Sequence, residues 1–228
     1  MANAVTRHIP NTITCCNLLS GCLAVLAATQ NDTKSAFLWI IAGACFDFCD
    51  GLAARLLKAY SPIGKELDSL ADLITFGLAP SLLCMGMLDR LSLPCGQMRY
   101  IALMLAAAAA LRLAKFNTDE RQTTSFLGLA VPANAIFWCG AALWTEKAGD
   151  AAYLPWLIIA LTVVFSILMI SEIPMFSLKF KNLSWKDNAI RFIFLAGAVI
   201  CGCALGLKGA SVIIIWYILL SVLTGKKA

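Results

Sequence analysis

The chain has 228 residues, 61% of them hydrophobic and only 14% charged, with a formal net charge of +5. Its mean hydropathy of +0.82 excludes an ordinary soluble domain, in which about half of the residues are apolar. Apolar runs recur along the whole length, which is the pattern of a polytopic membrane protein without a separate soluble domain.

A spanning helix takes about 20 residues. The runs predict an all-α helix bundle with spans over about 12–30, 35–57, 66–88, 98–116, 126–145, 152–170, 190–206 and 210–224. The opening stretch, MANAVTRHIPNTIT, has no short apolar core followed by a small-residue cleavage site, so the first run is expected to remain as a helix. Residues 1–11 are expected to lie in the interface, with Arg7 and His8 near lipid headgroups and Pro10 at the turn into the first span. Asn11, Thr14 and Asn17 open that span on a polar stripe, and capping by Asn11 or Thr12 accounts for part of it. Between the second and third spans, Pro62 is expected to help end one helix and Gly64 to permit a tight turn before Lys65. The fourth span carries a five-alanine run and is a good helix former. The last two are separated only by Gly206 to Gly209, as a tight hairpin or one broken element. Trp39, Trp144, Trp156 and Trp185 fall near span ends, where interface anchors belong.

Loop charges set orientation. Arg7, Arg55, Lys58, Lys65, Arg112, Lys115, Arg121, Lys179, Lys181, Lys186, Arg191, Lys226 and Lys227 fall on one side; Lys34, Arg90, Arg99, Lys147 and Lys208 fall on the other. The ratio, 13 to 5, places both termini and the loop between spans two and three in the cytoplasm. The cluster Lys179, Lys181 and Lys186, with Phe176 and Phe180, is expected either to attract anionic headgroups or to be plain positive-inside charge. Ten cysteines lie scattered through the apolar runs without a CxxC pair, and His8 is the only histidine. They read as small buried hydrophobes rather than metal ligands or disulfides. Nothing in the pattern calls for a nucleic-acid partner.

Four aspartates break the apolar sequence: Asp47 and Asp50 in the second span, Asp68 and Asp72 in the third. A carboxylate at helix centre costs roughly 2.5–3.5 kcal/mol on insertion scales, so four cost about 10–14 kcal/mol without compensation. At 100° per residue Gly43, Asp47, Asp50, Gly51 and Ala54 share one stripe, and Asp68 and Asp72 share a face. Two antiparallel helices then pool four carboxylates, and small neighbours let another helix or a bulky ligand come close. Two divalent cations would neutralise them, and oxygen-only ligands suit Mg²⁺ or Mn²⁺ rather than zinc. Such a pair can hold a phosphate oxygen during in-line displacement. Arg55, Lys58 and Lys65 stand near enough in sequence to pair with phosphates. A divalent-cation transporter is a competing reading, since intramembrane carboxylates also line ion paths. No internal repeat is visible, the aspartates sit to one side of the bilayer, and Arg55 would repel a permeating cation. A pure scaffold leaves the cost of the aspartates unanswered.

The string Asp47-x2-Asp50-Gly51-x2-Ala54-Arg55-x8-Gly64-x3-Asp68-x3-Asp72 resembles the signature of the CDP-alcohol phosphotransferases, with all eight signature residues at the family spacing. The resemblance implies transfer of a substituted phosphoryl group from a CDP-linked lipid to an alcohol, with release of CMP. It implies two metals held mainly by Asp47, Asp50 and Asp68, with Asp72 as a further metal residue and the general base, a six-helix catalytic core and a homodimer. It also places Thr14 near the nucleotide, and Gly51, Ala54, Arg55, Gly64 and Lys65 along the CDP-lipid. The stretches PNTITCCNLLSGCLA, ELDSLADLITFGLAPS, RLAKFN and SEIPMFSLKFKN are similar to bacterial phosphatidylserine synthases of the membrane-embedded type. That likeness implies CDP-diacylglycerol as donor and L-serine as acceptor at an inner-membrane site open to the cytoplasm. Arg112 and Lys115 would meet the serine carboxylate, and Asn117 would add a hydrogen bond. Positive-inside anchoring is the plainer account of the two cations. Glycerol 3-phosphate and inositol are the alternative acceptors, and a phosphorylated one would want more cations. Two departures show: Ala130 stands where proline is usual, with Pro132 kept, and Thr75 stands where serine is usual before Phe76 and Gly77. The expected organisation is one domain over 1–228, a core of about 8–170 and accessory helices over about 190–224.

Overall fold

The structure, a computed structural model, describes residues 8–91, 93, 96–118, 126–146, 151–176 and 184–224, with residues 186 and 187 described as helix backbone alone. Arg7, Arg121, Lys147, Lys179, Phe180, Lys181, Lys226, Lys227 and the first seven residues of the expected interfacial segment lie outside the described residues, as does the Lys186 side chain.

The fold is all-α. Helix α1 (Ile9–Thr29) buries Pro10, Thr14, Asn17, Gly21, Ala24 and Ala28 along one stripe. Steps of three and four residues place these on a single helix face, and their small size lets α2 (Thr33–Leu56) lie close against it. The two-helix turn closes through Asn31, left-handed at φ 58°, and the Asp32 carboxylate, which accepts from the Ser35 N–H at 3.0 Å.

Helix α2 does not end at Pro62. It ends at Leu56, and Lys58, left-handed at φ 52°, turns the chain so that the Ala59 N–H donates to the Ala54 carbonyl at 3.0 Å. Pro62 instead opens α3 (Pro62–Asp72), with Ser61 as cap accepting from the Gly64 N–H at 3.0 Å. Gly64 is therefore a first-turn helix residue, not a turn glycine. Its lack of a side chain answers to space, because a Cβ there would stand 2.9 Å from Asn11 Oδ1.

From Asp72 the helix continues as a π-helical segment (Leu73–Leu78) and then as α4 (Ala79–Asp89), one continuous element over Pro62–Asp89. Pro80 explains the wide turn. Proline has no N–H for the carbonyl four residues back, and its ring presses on that carbonyl; a wider local turn relieves both.

A 3₁₀ stretch (Gly96–Leu103) leads into α5 (Met104–Thr118). The predicted fifth span begins five residues late: Phe126 and Leu127 form β1, which pairs antiparallel with β2 (Pro174–Met175) in the register Phe126 with Met175. Gly128, at φ 73°, turns the chain where a Cβ would meet the Met169 and Ser171 carbonyls at 2.7 Å. Helix α6 (Val131–Thr145) then starts with Pro132 in its first turn. Helices α7 (Leu154–Ile170), α8 (Trp185–Leu205) and α9 (Gly209–Thr224) follow.

Helices α8 and α9 form a hairpin through the single turn Gly206–Lys208. A Cβ on Gly209 would stand 2.7 Å from the Cys201 carbonyl, so the two backbones nearly touch there. Helix α9 packs on α6, and the core is closed by Phe137 stacked on Phe165 with ring centres 4.0 Å apart.

Among the described residues, five elements are long and apolar enough to cross a membrane: Ile9–Thr29, Thr33–Leu56, Pro62–Asp89, Gly96–Thr118 and Asn188–Thr224, the last containing the hairpin. Leu154–Ile170 is apolar but shorter. The chain is a multi-pass membrane helix bundle. The cysteines correct the expectation of uniform burial. Cys84 and Cys139 are buried, whereas Cys15, Cys22, Cys45, Cys49 and Cys203 lie on the outside of the bundle, and all nine described are free. An outward face in a membrane meets acyl chains, which suit an uncharged thiol as well as the core does.

Candidate active site

The site is built by α1, α2 and α3. Asp47 and Asp50 are three residues apart on α2, and Asp68 and Asp72 four apart on α3, so each pair shares a helix face. One carboxylate oxygen from each of Asp47, Asp50 and Asp68 lies within 4.8 Å of the other two. Asp50 is only 6% exposed. Asp50 Oδ2 and Asp68 Oδ1 are buried and have no hydrogen-bond partner among the described residues. Three like charges this close repel one another, and a buried charged oxygen without a partner is costly. A set of hard oxygen donors in that state fits a divalent cation. It does not fit a salt-bridged structural cluster, because no arginine or lysine ion pair to these aspartates occurs among the described residues.

Asp72 stands one turn past Asp68 and outside the close trio, 9% exposed. Its Oδ1 accepts from Asn17 Nδ2 at 3.0 Å. The Thr75 hydroxyl bonds to Asn17 Oδ1 at 2.8 Å. A hydroxyl donating to the amide oxygen leaves only the amide N–H₂ to face the carboxylate, so Thr75 fixes which way Asn17 points. The arrangement depends on missing side chains. A Cβ on Gly43 would stand 3.0 Å from Asn17 Oδ1 and 2.5 Å from Thr75 Cγ2, and one on Gly21 would strike the Thr75 backbone nitrogen at 2.9 Å. Asn17 and Thr75 were not assigned to the aspartates by the sequence reading. The signal available was an amide on the polar stripe of an apolar helix, where it needs a partner.

Beside the trio opens a cavity of about 530 Å³, walled by Thr14 of α1, Gly51 and Ala54 of α2, and Gly64, Lys65 and Asp68 of α3. The structure thus brings together five of the six residues expected along a CDP-lipid. Arg55 is the sixth and lies alongside rather than in the wall, its Nε donating to the Gly51 carbonyl at 2.9 Å. Thr14 donates to the Pro10 carbonyl at 3.0 Å. Lys65 Nζ donates to the Asn117 carbonyl at 2.9 Å, and Asn117 Nδ2 donates to Ser69 Oγ at 2.8 Å.

Helix α5 delivers Arg112, 7% exposed, with a buried Nε that has no partner among the described residues. Its guanidinium lies within electrostatic reach of Asp72 and of Tyr217, and rests over the Phe116 ring at 5.6 Å. Lys115 faces elsewhere, in an exposed ion pair with Glu172 at 3.1 Å.

Residues 7–168 match the family model described as CDP-alcohol phosphatidyltransferase. The chain belongs to that family. The match covers α1 to α7 almost to its end and all four aspartates, while the α8–α9 hairpin lies beyond it. Among curated relatives, the CDP-diacylglycerol–serine O-phosphatidyltransferase of Bacillus subtilis is 39% identical over 130 residues, 55% of this chain and 70% of that protein. The protein of the same name from Mycobacterium tuberculosis is 31% identical over 222 residues, 93% of this chain and 74% of the relative. That of Helicobacter pylori is 30% identical over 182 residues, 77% of this chain and 74% of the relative. Membership makes the chain an enzyme of phosphatidyl transfer and sets the cation-transporter reading aside.

Proposed function

We propose that this enzyme transfers the phosphatidyl group of CDP-diacylglycerol to the hydroxyl of L-serine, giving phosphatidylserine and CMP. One observation carries the reading: three carboxylates converge beside a cavity with a fourth one helical turn beyond, in a chain whose relatives are named for that transfer. Asp47, Asp50 and Asp68, with Asp72 beside them, are the residues to hold two divalent ions, Mg²⁺ or Mn²⁺. When bound, such ions neutralise the diphosphate and the charge that builds on its oxygens.

The residues of the chain do the rest. Thr14, Gly51, Ala54, Gly64 and Lys65 seat the donor, and the small side chains let its diphosphate approach the helix backbones. Lys65 and the neighbouring Arg55 offer cationic donors to phosphate oxygens. Asn17 holds Asp72 Oδ1, which leaves Oδ2 to take the proton of the serine hydroxyl. The serine oxygen then bonds to the phosphatidyl phosphorus, the bond from that phosphorus to the CMP oxygen breaks, and CMP leaves with the electron pair. Arg112, buried near Asp72, receives the serine carboxylate. A single guanidinium suits a carboxylate better than the doubly charged phosphate of glycerol 3-phosphate.

The proposed setting is the inner cell membrane, with the site toward the cytoplasm, on the 13-to-5 distribution of Lys and Arg. A homodimer and a single catalytic domain, with its core over about 8–170 and α8–α9 as accessory helices, complete the proposal. The test is purified protein in detergent with Mn²⁺ or Mg²⁺ and CDP-diacylglycerol. CMP release that requires serine supports it, and release driven by glycerol 3-phosphate or inositol reassigns the acceptor.

A further inference from the structure

The geometry points to Asn117 and Ser69 as positioning residues of the donor cavity, which hold the Lys65 ammonium in place beside its wall. The inference rests on the reading of that cavity as the seat of CDP-diacylglycerol.

Three hydrogen bonds close a circuit between α3 and α5. Lys65 Nζ donates to the Asn117 carbonyl at 2.9 Å. Asn117 Nδ2 donates to Ser69 Oγ at 2.8 Å. Ser69 Oγ donates to the Lys65 carbonyl, one turn back on α3, at 3.2 Å. Each link has its own cause. Asn117 lies in the last turn of α5, where carbonyls lack helical partners and carry the negative end of the helix dipole, so an ammonium is drawn there. Ser69 is four residues from Lys65 on α3, so both rise on one face toward α5.

An exposed lysine on a four-carbon stem samples many rotamers. Here one of its three N–H donors is anchored, and two remain for phosphate oxygens. Lys65 lines the cavity while Asn117 and Ser69 do not. The Asn117 amide donor is committed to Ser69, and its carbonyl to Lys65. The residue therefore serves the donor side of the reaction, although its position on α5, five residues past Arg112, suggests the acceptor side.

The test compares Asn117→Ala, Ser69→Ala, Ser69→Thr and Lys65→Ala, each alone and the first two combined with Lys65→Ala. CDP-diacylglycerol affinity is measured directly in detergent, together with KM for both substrates. Loss of one such hydrogen bond is worth about three- to tenfold. The carbonyl that anchors Lys65 belongs to the backbone and survives Asn117→Ala, which removes only the amide bond to Ser69 that ties this end of α5 to α3. Asn117→Ala and Ser69→Ala should each loosen that tie and weaken CDP-diacylglycerol binding by up to about that factor with serine KM unchanged, and Ser69→Thr, which keeps the hydroxyl, should restore it. In the Lys65→Ala background both changes should be silent, because nothing remains to hold in place. A rise in serine KM, or an effect that persists in that background, overturns the inference. Donor affinity is read without turnover, so a protein that binds CDP-diacylglycerol but ignores serine would refute the proposed acceptor and leave this circuit tested in its own right.

Discussion

Asp72→Asn separates proton transfer from binding. The replacement keeps size and shape, and its amide oxygen still accepts from Asn17 Nδ2, whose direction is set by Thr75. A hydrogen bond to a neutral oxygen is weaker than one to a carboxylate by about 1 kcal/mol. Removing one of four crowded negative charges offsets part of that loss, so folding stability should change by no more than about 1 kcal/mol. The rate should fall far more. A positioned general base contributes about 10²- to 10⁴-fold, equivalent to about 2.7–5.4 kcal/mol of barrier. The assay is CMP release with serine, run beside CDP-diacylglycerol affinity and thermal unfolding of the same preparation. A variant that is folded and binds donor normally, yet turns over within about tenfold of the unmodified enzyme, refutes Asp72 as the base. Loss of donor binding at unchanged stability refutes it differently, by making Asp72 a binding residue first.

Asp68→Asn should remove one oxygen donor of the close trio and weaken Mn²⁺ binding by at least tenfold in equilibrium dialysis; unchanged Mn²⁺ affinity would clear the trio of a metal role. Treatment with EDTA should stop CMP release and added Mg²⁺ or Mn²⁺ should restore it, whereas activity that survives chelation contradicts the metal assignment. Gly21→Ala drives a methyl against the Thr75 backbone, 2.9 Å away, and overpacking of that kind costs about 1–3 kcal/mol; an unshifted thermal midpoint would show that α1 can move aside. Arg112→Ala should raise serine KM about ten- to a hundredfold, the range for a hydrogen bond to a charged group, while CDP-diacylglycerol affinity holds; the reverse pattern places Arg112 on the donor.

Much of this was open to a reader of the chain because it is local. Asp47 with Asp50, and Asp68 with Asp72, declare a shared face by spacing alone, and long apolar runs announce α1 and α2 as spans. What stayed hidden depends on residues distant in sequence. Thr75 reaches Asn17 across 58 positions, and no periodicity carries that contact. Lys115 was expected to face a substrate and stands instead in a pair with Glu172, 57 positions away. The late start of α6 followed from β1 pairing with β2, a short link between segments whose apolar character alone fits a helix. Pro62 was read by its general habit of ending helices, although the same missing N–H makes it equally suited to begin one.

The wide turn from Leu73 to Leu78 has a bearing on how this protein can vary. It sets the angular phase between Asp72, just before it, and Phe76, Leu83 and Met87, which anchor the same rod in the interior. Each residue added to or taken from a helix swings everything beyond it by about 100°. A one-codon deletion within those six positions would straighten the rod and turn the acidic edge away from Asn17, even with every acidic residue still encoded. Length in this stretch should therefore be as tightly constrained as the identity of the aspartates, while single volume-conserving exchanges at the half-buried Ile74 and Leu78 should cost less.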